Sequence, residues 1–205
     1  MRINKKKFIY LISPNKISDN TFYSDLCAVF KTKKISFFQL RLKNTPNKKK
    51  ILIGKKIKKI CKKYNVNFLI NDNPILAKKL NADGCHLGQK DMKINFARKI
   101  LKKKIIGVTC HNSIKLAKNA IKNNADYLAL GAFYASKTKK IRYKAKTNIL
   151  HSIKKISKIP TVAIGGINSS NYKKLLLNKA NFLAISGYIW NNKKYKPSEA
   201  IRKIK

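Results

Sequence analysis

Short apolar runs alternate with longer amphipathic segments along the whole chain. An apolar run bounded by turn residues is typical of a strand buried on both faces, whereas apolar residues every three or four positions are typical of a helix packed on one side. We predict strands at 8–13, 36–42, 68–70, 84–87, 105–110, 126–131, 161–164 and 181–185. We predict helices at 21–33, 48–64, from Pro74, at 96–103, 113–123, 147–157 and 169–178, and a C-terminal segment from Pro197 closes the chain.

This succession of strand–helix units predicts an α/β fold, a (β/α)8 TIM barrel that takes up residues 1–205 as a single domain. Segments 81–88, 124–131 and 179–185 resemble one another as a helix end, a tight turn and a buried strand, which is the repeat expected of such units. A doubly wound open sheet is the alternative. It is less favoured because no Gly-x-Gly-x-x-Gly turn follows a predicted strand.

Two aspartates, Asp72 and Asp91, follow the ends of the third and fourth predicted strands. The chain has 7 Asp and Glu against 49 Lys and Arg. Acidic residues are therefore not its general surface residues, and one at a strand end indicates a specific role. Carboxylates at one edge of a parallel sheet suit Mg²⁺, which takes one or two carboxylates together with substrate phosphates. The alternative is structural: Asp72 caps the next helix and Asp91 lies in a polar turn.

Cationic and amide side chains lie at the far ends of the second and third predicted strands. Gln39, Arg41 and Lys43 occupy alternate positions and are therefore expected on one face, near Asn71. Arg41 would hold phosphate oxygens as a fork and Lys43 as a point charge. Together with the aspartates they suit a Mg²⁺-bound diphosphate.

The last two strand ends have the features of a monophosphate site. Gly165 and Gly166 follow the seventh strand, where backbone N–H groups can approach a phosphate, and Ile185 and Ser186 end the eighth. Barrels often bind phosphate at this place.

The formal net charge of +42 suggests an anionic partner. The basic residues, however, are spread over the whole chain and are overwhelmingly lysine, whereas readers of nucleic acid concentrate charge and use arginine. A compositional drift toward lysine explains the charge better than a nucleic-acid-binding face. We therefore expect small phosphorylated molecules as partners, and the pattern argues against nucleic acid.

The cysteines and the apolar runs indicate the compartment. The four cysteines include no Cys-x-x-Cys pair, which is typical of reduced thiols in the cytoplasm. The apolar run after the basic start is too short for a signal peptide or a membrane span. We expect a cytoplasmic protein without a membrane partner, and the sequence leaves a homo-oligomer open.

Six segments resemble, in order and spacing, the family of thiamine-phosphate synthases and TenI-type thiazole tautomerases: QLRLK (39–43), INDNPILAKKLNADGCHLGQKD (70–91), IIGVTCHN (105–112), DYLALGAFYASKTKK (126–140), VAIGGI (162–167) and FLAIS (182–186). The resemblance implies a transferase. In the synthases, hydroxymethylpyrimidine diphosphate and a thiazole phosphate give thiamine phosphate and diphosphate with Mg²⁺.

The resemblance also implies roles for particular residues. For the pyrimidine diphosphate it implies Gln39, Arg41, Lys43, Asn71, Thr109 and Lys139, of which Arg41, Lys43, Thr109 and Lys139 would be catalytic. For the thiazole phosphate it implies Ser136, Thr138, Gly166, Ile185 and Ser186, and for Mg²⁺ it implies Asp72 and Asp91. Thr109 stands where the family more usually has serine, and the loop at 131–136 lacks the two prolines and the first threonine of the family pattern.

The nearest alternative within the family is the tautomerase, which needs a base, for which His111 is the candidate, and no metal site. Arg41, Lys43, Asp72 and Asp91 together favour the synthase. A basic nucleic-acid-binding protein and an inactive barrel are the remaining alternatives. We interpret His86 as a strand-end residue packed beside Gln89 and not as a metal ligand.

Overall fold

A computed structural model describes residues 7–17, 21–135 and 143–205, in which eight parallel strands close into one barrel in sequence order. The strands are β1 (Ile9–Ile12), β2 (Ile35–Leu40), β3 (Asn67–Asn71), β4 (Gly84–Leu87), β5 (Ile105–His111), β6 (Tyr127–Gly131), β7 (Thr161–Ile164) and β8 (Phe182–Ile185). The predicted (β/α)8 barrel is confirmed, and each predicted strand is present with bounds that differ by no more than two residues.

Helices connect the strands and cover the barrel. They are α1 (Thr21–Lys31), α2 (Asn47–Lys63), α3 (Pro74–Lys79), α4 (Ile94–Leu101), α5 (Ile114–Lys122), α6 (Asn148–Ile156), α7 (Tyr172–Leu177), α8 (Gly187–Trp190) and α9 (Pro197–Arg202). Ser113 caps α5 as predicted, since its hydroxyl accepts the Leu116 N–H. The short helix α8 was not predicted. Its Trp190 indole N–H donates to the Ile12 carbonyl (2.7 Å), which ties the eighth unit to the first strand.

Each strand has an outer and an inner set of side chains because successive residues point to opposite faces. The outer set packs beneath the helices in one large apolar cluster that includes Ile9, Leu11 and Phe38. The inner set fills the barrel with a second cluster: Tyr10, Ile12, Phe37, Leu69, Tyr127, Ala129, Val162, Phe182 and Ala184. The barrel interior is therefore a packed core. The inward-pointing residues outside this cluster include those near the carboxyl ends of the strands.

The sequence repeat at 81–88, 124–131 and 179–185 has a structural role at the amino-terminal face of the barrel. In each copy a left-handed residue follows the helix end, at Asn81 (φ 47°), Asn124 (φ 60°) and Lys179 (φ 71°). Two positions later a side-chain oxygen accepts an N–H from the start of a neighbouring strand: Asp83 from Phe68 (2.7 Å), Asp126 from Ile106 (2.8 Å) and Asn181 from Thr161 (2.9 Å). The repeat thus joins β4, β6 and β8 to β3, β5 and β7.

We expect Asp126→Ala to lower the free energy of unfolding by about 1–3 kcal/mol. The buried Ile106 N–H loses its acceptor, and Arg98, whose Nη2 lies 2.6 Å from the Asp126 carboxylate, loses its ion pair. Asp126→Asn keeps an oxygen for Ile106 and is expected to lose less, as the natural Asn181 indicates. Urea unfolding of both variants measures this difference, and equal losses would contradict the role assigned to the strand-start hydrogen bond.

The four cysteines are free, and Cys61, Cys85 and Cys110 are buried. Burial raises the pKa of Cys85 and of Cys110 to about 12, so both thiols stay protonated and unreactive at neutral pH. In the described part of the chain, no helix has both the length and the apolar character that a membrane crossing requires.

Candidate active site

Polar side chains meet at the carboxyl ends of β2 to β5 because the inward positions of these strands change character along their length. The change from the barrel interior to the rim is Phe37 to Gln39 in β2, Leu69 to Asn71 in β3, Gly84 to His86 in β4 and Gly107 to Thr109 in β5. The first residue of each pair is apolar or glycine and lies in the barrel core. The second, two positions later, is polar and lies nearer the edge. This is the edge at which barrels bind ligands.

A cavity of about 320 Å³ opens at this edge beside the ends of β2 and β3. Its polar wall consists of Lys43, Lys50, Asn71, Asp72 and Asn73. The rest of its lining is apolar and belongs to the outer core: Leu40, Leu42, Ile70 and Leu76. The cavity therefore lies on the helix side of β2 and β3 and adjoins the polar strand ends through Lys43, Asn71 and Asp72.

Asp72 lies directly after β3 in the left-handed region (φ 63°), and its N–H donates to the His86 carbonyl (2.8 Å). Its side chain lies near that of Asp91. Burial, together with Asp91, raises the pKa of Asp72 from 3.8 to about 6, while Lys43 and Arg41 act in the opposite direction. The two acids therefore face one another in a half-buried place, close to both predicted phosphate-binding cations.

The structural interpretation of the aspartates holds for one of them. Asp91 closes a turn, since its Oδ2 accepts the Gly88 N–H (2.7 Å). Asp72 does not cap α3, because Asn73 occupies the cap position and its Oδ1 accepts the Leu76 N–H (2.8 Å). The carboxyl group of Asp72 is thus directed to Asp91 and not to the helix.

The donor set fits Mg²⁺ better than a transition metal. At neutral pH a divalent cation can offset the repulsion between two facing carboxylates. Mg²⁺ needs only one or two protein carboxylates. Over residues 7–17, 21–135 and 143–205, no group of three or more His, Cys, Asp or Glu side chains is placed to hold a metal. A site of this kind leaves most of the coordination sphere to phosphate and water.

The side-chain amides of Gln39, which is buried, and of Asn71, which is half-buried, form a hydrogen-bonded pair. Gln39 is 2% exposed, and its Nε2 donates to Asn71 Oδ1 (2.7 Å). The Asn71 oxygen is thereby occupied, which leaves the amide hydrogens of Asn71 for a ligand at the rim.

Arg41 and Lys43 reach the site from a loop and not from a strand. The predicted strand at 36–42 is wrong at its end, because β2 stops at Leu40 and strand alternation does not extend to Lys43. The Arg41 N–H donates to Ser13 Oγ (2.9 Å) and its Nη1 lies 3.4 Å from Asn15 Oδ1. The loop after β1 thus supports Arg41, and the turn after β2 places Lys43 in the cavity wall.

A hydrogen-bonded chain inside the barrel leads to Thr109, and sequence analysis missed it. His86 Nε2 lies 2.8 Å from Thr109 Oγ1, and His86 Nδ1 lies 2.9 Å from the Tyr127 hydroxyl. Burial lowers the pKa of His86 to about 4, so the ring is neutral at pH 7. The predicted neighbour Gln89 instead donates its amide N–H to the Thr109 carbonyl. The available signal in the sequence was the inward position of His86, Thr109 and Tyr127 on three neighbouring strands. Gly107, which has no side chain, leaves the space that the Tyr127 ring occupies.

The glycines after β7 are required by close packing. Gly165 and Gly166 have φ of 106° and 61°. A Cβ on Gly165 would lie 2.4 Å from Ala132 Cβ, and one on Gly166 would lie 2.1 Å from the Ala135 carbonyl oxygen. Residues 132–135, which follow β6, therefore lie directly against this turn, beside the predicted thiazole phosphate site.

The other predicted thiazole phosphate residues are placed differently. Ser186 Oγ donates to the Ser13 carbonyl (3.1 Å). Ile185 is 2% exposed and packs in the outer core, so only its backbone is available to a ligand at the rim. The predicted residues Ser136, Thr138 and Lys139 lie outside the described residues.

His111, the candidate base of the tautomerase alternative, ends β5 with φ of 53°. Its ring centroid lies 4.2 Å from that of Tyr143, with the rings tilted by 31°. Its ring therefore packs against an aromatic side chain from the segment that precedes α6.

The chain matches the family model described as thiamine monophosphate synthase over residues 9–189. It is 73% identical over 207 residues to the thiamine-phosphate synthase of Pelagibacter ubique (strain HTCC1062), with 100% of each chain covered. It is 35% identical to the thiamine-phosphate synthase of Rhodospirillum centenum (strain ATCC 51521 / SW), covering 90% of this chain and 89% of that protein. Its fold is similar to that of the thiamine phosphate pyrophosphorylase from Pyrococcus furiosus, with a TM-score of 0.85, 28% identity and coverage of 98% and 94%. This chain belongs to the thiamine monophosphate synthase family.

Proposed function

We propose that this protein is a cytoplasmic, Mg²⁺-dependent thiamine-phosphate synthase that joins hydroxymethylpyrimidine diphosphate to a thiazole phosphate and releases diphosphate. The observation that carries the proposal is the pairing of Asp72 with Asp91 beside Arg41 and Lys43, in a chain of this family. A site for a metal-bound diphosphate needs both the carboxylates and the cations.

The residues at the rim divide the work of binding the diphosphate. Asp72 and Asp91 would hold Mg²⁺, which would neutralise negative charge on the leaving diphosphate. Arg41 and Lys43 would contact phosphate oxygens directly. Asn71 and Thr109 would add neutral hydrogen-bond donors.

The substitution step requires that the bond between the pyrimidine methylene carbon and the diphosphate oxygen breaks while water is excluded. The electron pair of that bond leaves with the diphosphate, and the thiazole nitrogen supplies the pair for the new carbon–nitrogen bond. Beneath the rim, the barrel is filled by apolar side chains such as Phe37, Leu69 and Phe182. A dry floor of this kind would keep water from capturing the electron-poor methylene carbon.

The direct test is a coupling assay on the purified full chain with hydroxymethylpyrimidine diphosphate, thiazole phosphate and Mg²⁺. Thiamine phosphate and diphosphate should form in equal amounts, and formation should cease when EDTA removes the metal. Isomerisation of a thiazole carboxylate phosphate without coupling would instead identify a tautomerase. Neither activity, with retention of RNA on a binding column, would favour the nucleic-acid alternative.

We expect Arg41→Gln to lower kcat/KM of the coupling reaction by about 10- to 100-fold, the range of a lost charge-assisted hydrogen bond to phosphate. Arg202→Gln, the same change in α9, serves as the control and should leave kcat/KM unchanged. Steady-state kinetics with varied pyrimidine diphosphate measures both variants. An equal loss in the two would mean that net charge, and not contact with phosphate, is responsible.

A further inference from the structure

We propose that His86 is a positioning residue that directs the hydroxyl hydrogen of Thr109 toward the rim, where it donates to a phosphoryl oxygen of the substrate. The ligand in this inference rests on the proposed function. The direction of the hydrogen bonds does not, because it follows from the groups inside the barrel.

Four polar groups form one chain through the barrel interior. The Tyr10 hydroxyl lies 2.8 Å from the Tyr127 hydroxyl, which lies 2.9 Å from His86 Nδ1. His86 Nε2 lies 2.8 Å from Thr109 Oγ1. Tyr10 is 2% exposed and Tyr127 is fully buried, while Thr109 at the end of the chain is half-buried.

The Tyr10 end of the hydrogen-bonded chain determines which group donates in each of its hydrogen bonds. Within the described residues, Tyr127 is the one hydrogen-bond partner of the Tyr10 hydroxyl. If Tyr127 donated to Tyr10, the hydroxyl hydrogen of Tyr10 would be buried without an acceptor, which is unfavourable. Tyr10 therefore donates to Tyr127, and Tyr127 donates to His86 Nδ1. In neutral imidazole the other nitrogen then carries the hydrogen, so Nε2–H donates to Thr109.

The neutral state of His86 is required by its surroundings. His86 is 8% exposed, and in the described structure both of its ring nitrogens contact hydroxyl groups and not a carboxylate. Burial therefore disfavours the imidazolium more than the nearby Asp91 favours it. Protonation would also make both nitrogens donors, and the Tyr127 hydroxyl could then no longer donate to Nδ1.

The direction of these hydrogen bonds determines the orientation of the Thr109 hydroxyl group. Its oxygen accepts from His86, so its own hydrogen is free for a ligand. In the reverse direction Thr109 would donate to His86 and present only lone pairs, which repel a phosphate oxygen. The chain thus selects the orientation of the hydroxyl that binds an anion.

The first test is the tautomer of His86, measured by long-range ¹H–¹⁵N correlation at pH 7. The chain has 3 histidines, and the variants His111→Gln and His151→Gln complete the assignment. The Nε2–H tautomer is expected. The Nδ1–H tautomer or the imidazolium would overturn the inference, whatever the enzymatic activity.

The second test measures binding of inorganic diphosphate with Mg²⁺ by titration calorimetry. His86→Leu should weaken binding by about 10- to 100-fold, whereas His86→Gln, whose amide can donate to Thr109, should recover most of it. Tyr172→Phe removes a different buried hydroxyl, one that donates to the Lys205 carbonyl (2.7 Å), and should leave binding unchanged. Unchanged affinity in a folded His86→Leu would overturn the inference.

These two measurements separate the inference from the function on which its ligand rests. If the wild type fails to bind diphosphate, the proposed function and the phosphoryl acceptor fail together, while the tautomer still reports the direction of the chain. If the wild type binds diphosphate but the tautomer is Nδ1–H, only the inference fails.

Discussion

Asp72→Asn is expected to reduce coupling activity by about 10²- to 10³-fold and, in Mg²⁺-free buffer, to raise the melting temperature. Activity falls because one of the two carboxylates proposed to bind Mg²⁺ is lost. Stability rises because the change removes a half-buried charge that faces Asp91. After allowance for solvent screening the gain is about 1 kcal/mol at pH 7.

The stability difference has a defined pH dependence. The pKa of Asp72 is raised from 3.8 to about 6 in the folded protein, so folding takes up protons in this interval and the wild type loses stability as pH rises through it. The variant lacks this loss. We therefore expect the two melting temperatures to converge near pH 4 and to differ fully above pH 6.

A charge-matched variant isolates the effect. Asp25→Asn removes one negative charge from helix α1, far in sequence from the acid pair. Because the chain already has a net charge of +42, this change should leave stability unchanged or lower it slightly through self-repulsion. If Asp72→Asn behaved like Asp25→Asn in calorimetry, the two acids would not repel one another, and no cation between them would be needed.

Gly107→Ala is expected to destabilise the protein by about 3 kcal/mol or more, at the upper end of overpacking effects. A Cβ on Gly107 would lie 1.8 Å from Cζ of the Tyr127 ring and 2.2 Å from its Cε1. The ring cannot retreat, because Tyr127 is fully buried and bonded to His86. Urea unfolding measures the loss, and activity should fall as well because the displaced ring disturbs the chain to Thr109.

Gly54→Ala is the matched control. It makes the same chemical change within helix α2, where its Cβ would meet Leu80 Cδ1 at 2.6 Å, the free end of a flexible side chain. Alanine gains about 1 kcal/mol of helix propensity over glycine, which offsets the contact. We expect Gly54→Ala to leave the free energy of unfolding nearly unchanged and Gly107→Ala to lower it strongly. Comparable losses would mean that the barrel interior is less tightly packed than the Gly107 contacts indicate.

The barrel could be predicted from the sequence because its cause is local. A strand covered on both faces reads as a continuous apolar run, and the helix that follows has its own period. The position of the site also followed, since parallel strands place their carboxyl ends on one edge. Asp72, Asp91, Asn71 and Gln39 were found in this way.

Contacts between strands distant in sequence could not be predicted. Tyr10, His86 and Tyr127 come from three strands, and their separation depends on how the barrel closes. That Asp72 turns toward Asp91 while Asn73 takes the helix cap is a competition between neighbours that only packing resolves.

Local pattern therefore determined the eight units and the edge at which the candidate site lies, because hydrophobic period and strand direction are properties of short segments. The three-dimensional fold established which polar groups touch, which oxygen faces which, and how a buried hydroxyl orients the one at the rim. Those outcomes depend on ångström-scale distances between residues that are far apart in the chain, from 19 positions for Asp72 and Asp91 to 117 for Tyr10 and Tyr127. Hydrogen bonding and charge repulsion change sharply over such distances.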